Sequence, residues 1–163
     1  MAGASNSFDM SAMHAWFDKA VAQLEPSREL TSAIGMAMVM ATQRRFKDGE
    51  DPQGHPWKQS AMAAKKGGQT LVDGAHLRDS ITYEASAHQV VWGTNRIYGA
   101  IHQFGGKIEA KNAPFLIFET PGGIVMKKSV IIPKREYLGW NDDDLAVARD
   151  LVTEFMKQGM GVA

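Results

Sequence analysis

Residues 70–106 read TLVDGAHLRDSITYEASAHQVVWGTNRIYGAIHQFGG, and this stretch decides the fold. Asp73-Gly74 is a turn pair, because Gly accepts positive φ and Asp bonds its own backbone. Leu77 and Ile81 then fall on one face of a helical turn. From Ile81 the period changes. Ile81 and Tyr83 alternate with Thr82 and Glu84, as on a half-buried strand. Val90, Val91 and Trp92 form a second β-prone run that stops at Gly93. Tyr98, Ile101 and Phe104 return to helical spacing, and Gly105-Gly106 ends that segment.

Upstream, residues 1–7 are small and polar and are expected to be disordered. Met13, Trp16, Phe17, Ala20, Val21 and Leu24 predict a helix over Phe8–Glu25, which Pro26 ends. Ser27 is a good N-cap for a second helix, with Glu29 in its first turn. Met36, Met38 and Met40 with Ala37 and Ala41 make that helix apolar on more than one side. It is expected to lie centrally, as a core helix, or against another subunit; a peptide-binding groove is the sharper alternative. Lys47–Gly68 carries Gly, Pro and polar residues around one large anchor, Trp57, and reads as a long loop. Ala61–Lys66 forms at most a short helical turn within it, with Lys65 and Lys66 solvated rather than on DNA.

Downstream, residues 107–132 read as a connector to Pro114, then a hairpin. Phe115–Glu119 and Ile124–Ile132 are its strands and Pro121-Gly122-Gly123 its turn. The sequence leaves open whether this hairpin joins the main sheet or projects as an arm. Pro133 ends the second strand. Asn141 caps a last helix whose first turn holds Asp142, Asp143 and Asp144; capping accounts for these carboxylates without a metal. Leu145, Ala148, Leu151, Val152, Phe155 and Met156 form its apolar stripe. The order α-α-loop-β-β-α-β-β-α predicts an α+β domain over 8–163. Its expected architecture is a small antiparallel sheet of about four strands with three longer helices and one short one.

Three groups of residues resemble the phage virion morphogenesis family, which includes tail completion proteins of P2-like and Mu-like phages. Asp73, Gly74, Leu77, Ser80, Ile81, Gly93, Thr94 and then Tyr98, Ile101, His102, Gln103, Phe104 and Gly105 carry the central part. Phe46, Gly49, Pro52, Gly54 and Trp57 resemble its F-x-x-G-x-x-P-x-G-x-x-W, and Ile132, Pro133, Arg135, Leu138 and Gly139 its I-P-x-R-x-F-L-G, with Tyr137 as the aromatic. Glu136 departs from that pattern, and Lys111–Lys128 is a long insertion. The resemblance runs from Phe46 to the C-terminus and lies in the order of the three motifs.

The chain has 163 residues, 44% of them hydrophobic, which suits a single globular domain with a real core. Eighteen basic residues balance eighteen acidic ones, so bulk charge does not hold it to nucleic acid. There is no cysteine, hence no disulfide framework and no thiolate ligand or nucleophile. No signal peptide and no membrane span are read, so manufacture in the host cytoplasm and no membrane partner are expected. His14, His55, His76, His88 and His102 show no zinc-helix spacing. His102, beside Gln103 before a glycine bend, is the best candidate general base, but it would need an orienting carboxylate such as Asp73 or Glu84. The plainer reading is that His102 and Gln103 tie the helix end to nearby backbone. No Walker loop or nucleophile elbow is present.

The chain is therefore read as non-enzymatic, with no catalytic, cofactor-binding or metal residue. The resemblance implies a structural protein of a tailed phage or prophage, acting in tail completion or at the head–tail neck and located in the virion. It implies a homo-oligomer, a ring of six subunits, with the tail tube, terminator or neck and connector proteins as partners. Near-neutral walls would let DNA pass without specific binding. Trp57, Trp92, Tyr98, His102, Phe104 and Arg135 are the candidate assembly residues, since aromatics and Arg anchor interfaces. Trp92, Tyr98 and Phe104 could equally fill the core. A small metal-dependent hydrolase or nuclease centred on His102 is the alternative, and a DNA-binding module a weaker one.

Overall fold

A computed structural model describes residues 27–160 and, outside that range, residue 15 alone. The expected tail at 1–7 and the stripe expected of Phe8–Glu25 lie outside the described residues.

Helix α1, Arg28–Asp48, is the axis of the structure. The Ser27 hydroxyl accepts from the Leu30 amide at 3.1 Å, and Gly49 closes the far end at φ 75°. Its buried stripe is Thr31, Gly35, Met38, Thr42, Arg45 and Phe46. The spacing is that of one helix face, yet the face is largely small or polar. Each member has a reason. The Tyr83 ring occupies the space a Cβ on Gly35 would need, so only glycine lets the helix approach β1. Thr42 donates to the Met38 carbonyl at 2.8 Å, so its hydroxyl is satisfied inside the core. The methionines divide. Met38 is buried at 2% exposure, whereas Met36 and Met40 stand on the outer face at 56% and 65%.

The 47–68 segment is more ordered than a plain loop. A Glu50–Pro56 bridge closes a tight turn in which the Asp51 carboxylate accepts from the Gln53 and His55 amides, 2.9 Å each. Ala61–Lys66 is a short helix, α2, capped by the Ser60 hydroxyl on the Ala63 amide at 3.1 Å. A 3-10 turn, Arg78–Ser80, leads into β1, Ile81–Ala85, which pairs antiparallel with β2, Val90–Thr94. This ribbon packs on α1. Helix α3, Gly99–Phe104, follows and stops at Gly105. There φ is 68°, and a Cβ would stand 2.7 Å from the Lys134 amide nitrogen, so a side chain is excluded.

Beyond Gly105 the chain runs out and back. Strand β3, Gly106–Glu109, pairs with β6, Ser129–Ile132, and farther out β4, Leu116–Thr120, pairs with β5, Gly123–Lys127. Among the described residues the single sheet of about four strands is thus replaced by six strands in three two-stranded antiparallel ribbons. The expected continuous strand Ile124–Ile132 is divided at Lys128, because residues 110–115 on the opposite leg have no ladder partner and only the Ala110 amide reaches the Lys128 carbonyl, at 3.0 Å. The connector read over 107–114 contains β3. The hairpin is an arm with its own base, not a part of the β1–β2 ribbon.

The chain returns through 133–141 to α4, Asp142–Met160, which packs beside α1. The core under α1 is Phe46, Trp57, Leu77, Ile81 and Tyr137, with Val39, Leu71, Val72 and Leu138 around it. Trp57 meets Phe46 edge-on at 5.5 Å between ring centroids. The α+β class stands.

Candidate functional site

Segment 133–139 has no strand partner among the described residues, and side chains serve in place of one. The Gln103 carbonyl oxygen accepts from the amides of Tyr137 and Leu138, 3.0 Å each, and its amide donates to the Leu138 carbonyl at 2.8 Å. One buried side chain thereby imitates a neighbouring strand. The Trp57 indole donates to the Glu136 carbonyl at 2.9 Å, and the Arg135 amide donates to the His102 carbonyl at 2.8 Å. Arg45, from α1, donates to the carbonyls of Tyr137 at 3.3 Å and Gly139 at 3.0 Å and pairs with the Asp144 carboxylate. Asp144 also accepts from the Asn141 amide, while the Asn141 side chain accepts from the Asp144 amide at 2.8 Å. This reciprocal cap fixes the start of α4, as its acidic first turn implied, and joins it to a buried cation.

A cavity of about 300 Å³ opens beside this latch, lined by Ser60, Thr70, Leu71, Asp73, Leu77, Tyr98, His102 and Arg135. The loop that forms one wall is held in unusual geometry. Leu71 and Ala75 sit at φ 66° and 57°, where residues other than glycine are uncommon. The Arg135 Nε donates to the Lys58 carbonyl at 2.8 Å. The partner in this contact lies in the same chain. The His102 ring meets Tyr98 edge-on at 6.2 Å. Its Nδ1 is buried with no hydrogen-bond partner among the described residues. Burial, and then the charge of Arg135, hold the His102 pKa below its ordinary value.

The cavity brings His102 and Asp73 together but does not build an acid–base pair from them. Asp73 is turned outward, its side chain 80% exposed and bonded to Lys66 at 3.2 Å. Glu84 does not line the cavity. The Thr70 hydroxyl accepts from the Ser60 amide at 3.0 Å, and the Ser60 hydroxyl caps α2. No cluster of three His, Cys, Asp or Glu residues suited to a metal occurs among the described residues.

The candidate assembly residues divide into four groups. Trp57 is in the core at 8% exposure. Trp92 is half-buried, edge-on to Trp140 at 4.7 Å between centroids. Tyr98, His102 and Arg135 share the cavity, with Tyr98 43% exposed. Phe104 stands outside at 74%. Arg45 escaped notice, although it falls on the same helical stripe as Thr31, Gly35, Met38 and Thr42, and that register is the signal that could have marked it.

A bare apolar surface lies on the arm. Ile117 pairs across the ribbon with Met126, and Glu119 with Ile124, so all four share one face. Ile117, Ile124 and Met126 are 68%, 77% and 58% exposed. Ile131 at 76% continues the exposed apolar positions toward the base.

A model of the phage virion morphogenesis family matches residues 8–157. Over 94 residues the chain is 36% identical to the Mu-like prophage FluMu G protein 2 of Haemophilus influenzae, a match covering 54% of this chain and 64% of that protein. No solved structure matches the chain.

Proposed function

The chain belongs to the phage virion morphogenesis family, and on that premise we propose that it completes the tail, or seats the head–tail neck, as a closed ring of identical subunits. Membership alone gives a phage structural or assembly role. The observation that carries the finer reading is the bare apolar face of the arm at Ile117, Ile124 and Met126. A two-stranded ribbon is marginal by itself in water, and on this one Ile117, Ile124 and Met126 stay exposed while Leu116, Phe118 and Val125 on the other face are half-buried. Such a face reads as a surface for another protein. Among the described residues both edges of the ribbon are also unpaired, so a neighbour's strand can add to either.

A head-to-tail contact in which each arm reaches the next body generates a ring when the rotation closes. Sixfold closure is the form that a tail tube would template. The balance of eighteen basic and eighteen acidic residues suits a channel through which DNA passes without sticking. The natural partners in this reading are the tail tube, its terminator and the neck proteins, and the site of action is the virion.

Light scattering across a concentration series tests the preformed ring: a closed hexamer is the expected species. A monomer at every concentration removes it, and co-sedimentation with purified tails then decides whether the tail templates assembly. Failure of both removes the reading. Strong, salt-dependent affinity for duplex DNA would overturn the passive-channel part.

A further inference from the structure

We infer that the cavity between Arg135 and His102 is a receptor for one carboxylate side chain presented by another polypeptide. Arg135 is only 6% exposed, yet its fork is half used. The Nε is committed to the Lys58 carbonyl, and the two terminal nitrogens have no hydrogen-bond partner among the described residues. No carboxylate pairs with this cation among the described residues, and one entering the cavity would satisfy both nitrogens at once in a bidentate pair. The second open donor or acceptor is His102 Nδ1, buried and unpartnered on the same cavity. Two neighbouring residues of the site thus carry unmet hydrogen-bonding capacity.

The carboxylate already present does not meet that demand. Asp73 lies at the rim and is taken by Lys66, at 3.2 and 3.3 Å to its two oxygens. The cavity's remaining walls point to the kind of anion. Leu71, Leu77 and the Tyr98 ring give it apolar sides around a cationic floor. Those sides suit the methylene stem of an acidic side chain. A phosphate brings no apolar part and a second negative charge that Asp73 opposes. The volume of about 300 Å³ admits a side chain rather than a large cofactor.

This goes beyond the ring reading and does not depend on it, because the test uses the full chain alone. With 15N-labelled arginine and histidine side chains, the protein is titrated with N-acetylglutamate α-amide, its neutral isostere N-acetylglutamine α-amide, and inorganic phosphate. The glutamate probe is expected to displace the Arg135 and His102 signals saturably, with at least roughly tenfold preference over the isostere. In Arg135→Lys one amine can reach the Lys58 carbonyl or the cavity but not both, and the response should fall by about tenfold or more. His102→Gln leaves the Lys58 contact untouched and should weaken the same response. The same displacement on concentrating the chain alone identifies a second copy as the source; its absence identifies a different protein. Equal response to both amides, no displacement, or tighter binding of phosphate overturns the proposal.

Discussion

Around Arg45 the protein buries charge and polarity and gives both terminal nitrogens of that guanidinium partners: two carbonyls and a carboxylate from the returning chain bond them. Out on the arm, Ile117, Ile124 and Met126 face water. The usual distribution is inverted in both places. What the contrast teaches is where the free energy of each region comes from. The latch holds the body to itself through groups that must all be present together. The arm keeps one apolar face exposed, left over for contact with something else.

The contrast breaks most visibly at Arg45. Arg45→Ala leaves Asp144 buried and unpaired and should cost about 3–5 kcal/mol in urea unfolding. The double change Arg45→Met with Asp144→Leu, which removes both charges, should recover a large part of that loss. If the single change is nearly neutral, the latch does not hold the body. Next is Gln103→Ala, which strips the partners from the Tyr137 and Leu138 amides and the Leu138 carbonyl. A loss of about 2–3 kcal/mol is expected by the same measurement.

A smaller effect comes with pH. The folded His102 pKa lies below the ordinary 6.5, so on acidification the unfolded chain takes up this proton first. Stability due to His102 is full above pH 6.5 and is lost as pH falls from there toward the folded pKa. His102→Gln should flatten that part of the stability–pH curve; an unchanged slope assigns the titration elsewhere. The smallest effect on folding belongs to the arm. Ile117→Thr with Met126→Thr keeps the cross-strand pair and should shift stability within about 0.5 kcal/mol. The same variant should lose ring formation or tail binding. If it unfolds the protein instead, the arm belongs to the core of its own subunit and the contrast fails.

Much of this was open to reading because local chemistry carries it. Ser27 and Asn141 cap helices by side-chain bonds to amides three residues on, which spacing alone reveals. The β1–β2 ribbon shows in its alternation, and the turn at Asp73-Gly74 in its residue types. Three features had no local signal. Strand β3 is four residues, Gly-Lys-Ile-Glu, too short and polar to read as a strand. The division at Lys128 depends on what lies opposite. Arg45 and Asp144 are far apart in the chain, and neither shows its partner by periodicity. The cavity gathers Thr70, Tyr98, His102 and Arg135 from four segments, so its members could be named singly while their meeting could not.

The arm joins the body in a way that matters when it is pulled. Only Lys128 separates β5 from β6, and β6 lies along β3 through four residue pairs, Gly106↔Ile132 to Glu109↔Ser129. Tension entering along β6 therefore loads those pairs together, in shear, rather than peeling them one by one. The strand then runs through Pro133 and Lys134 to Arg135, whose side chain grips Lys58. The base of the arm acts as a mechanical anchor, able to pass a load from a docked neighbour into the body before the ladder opens.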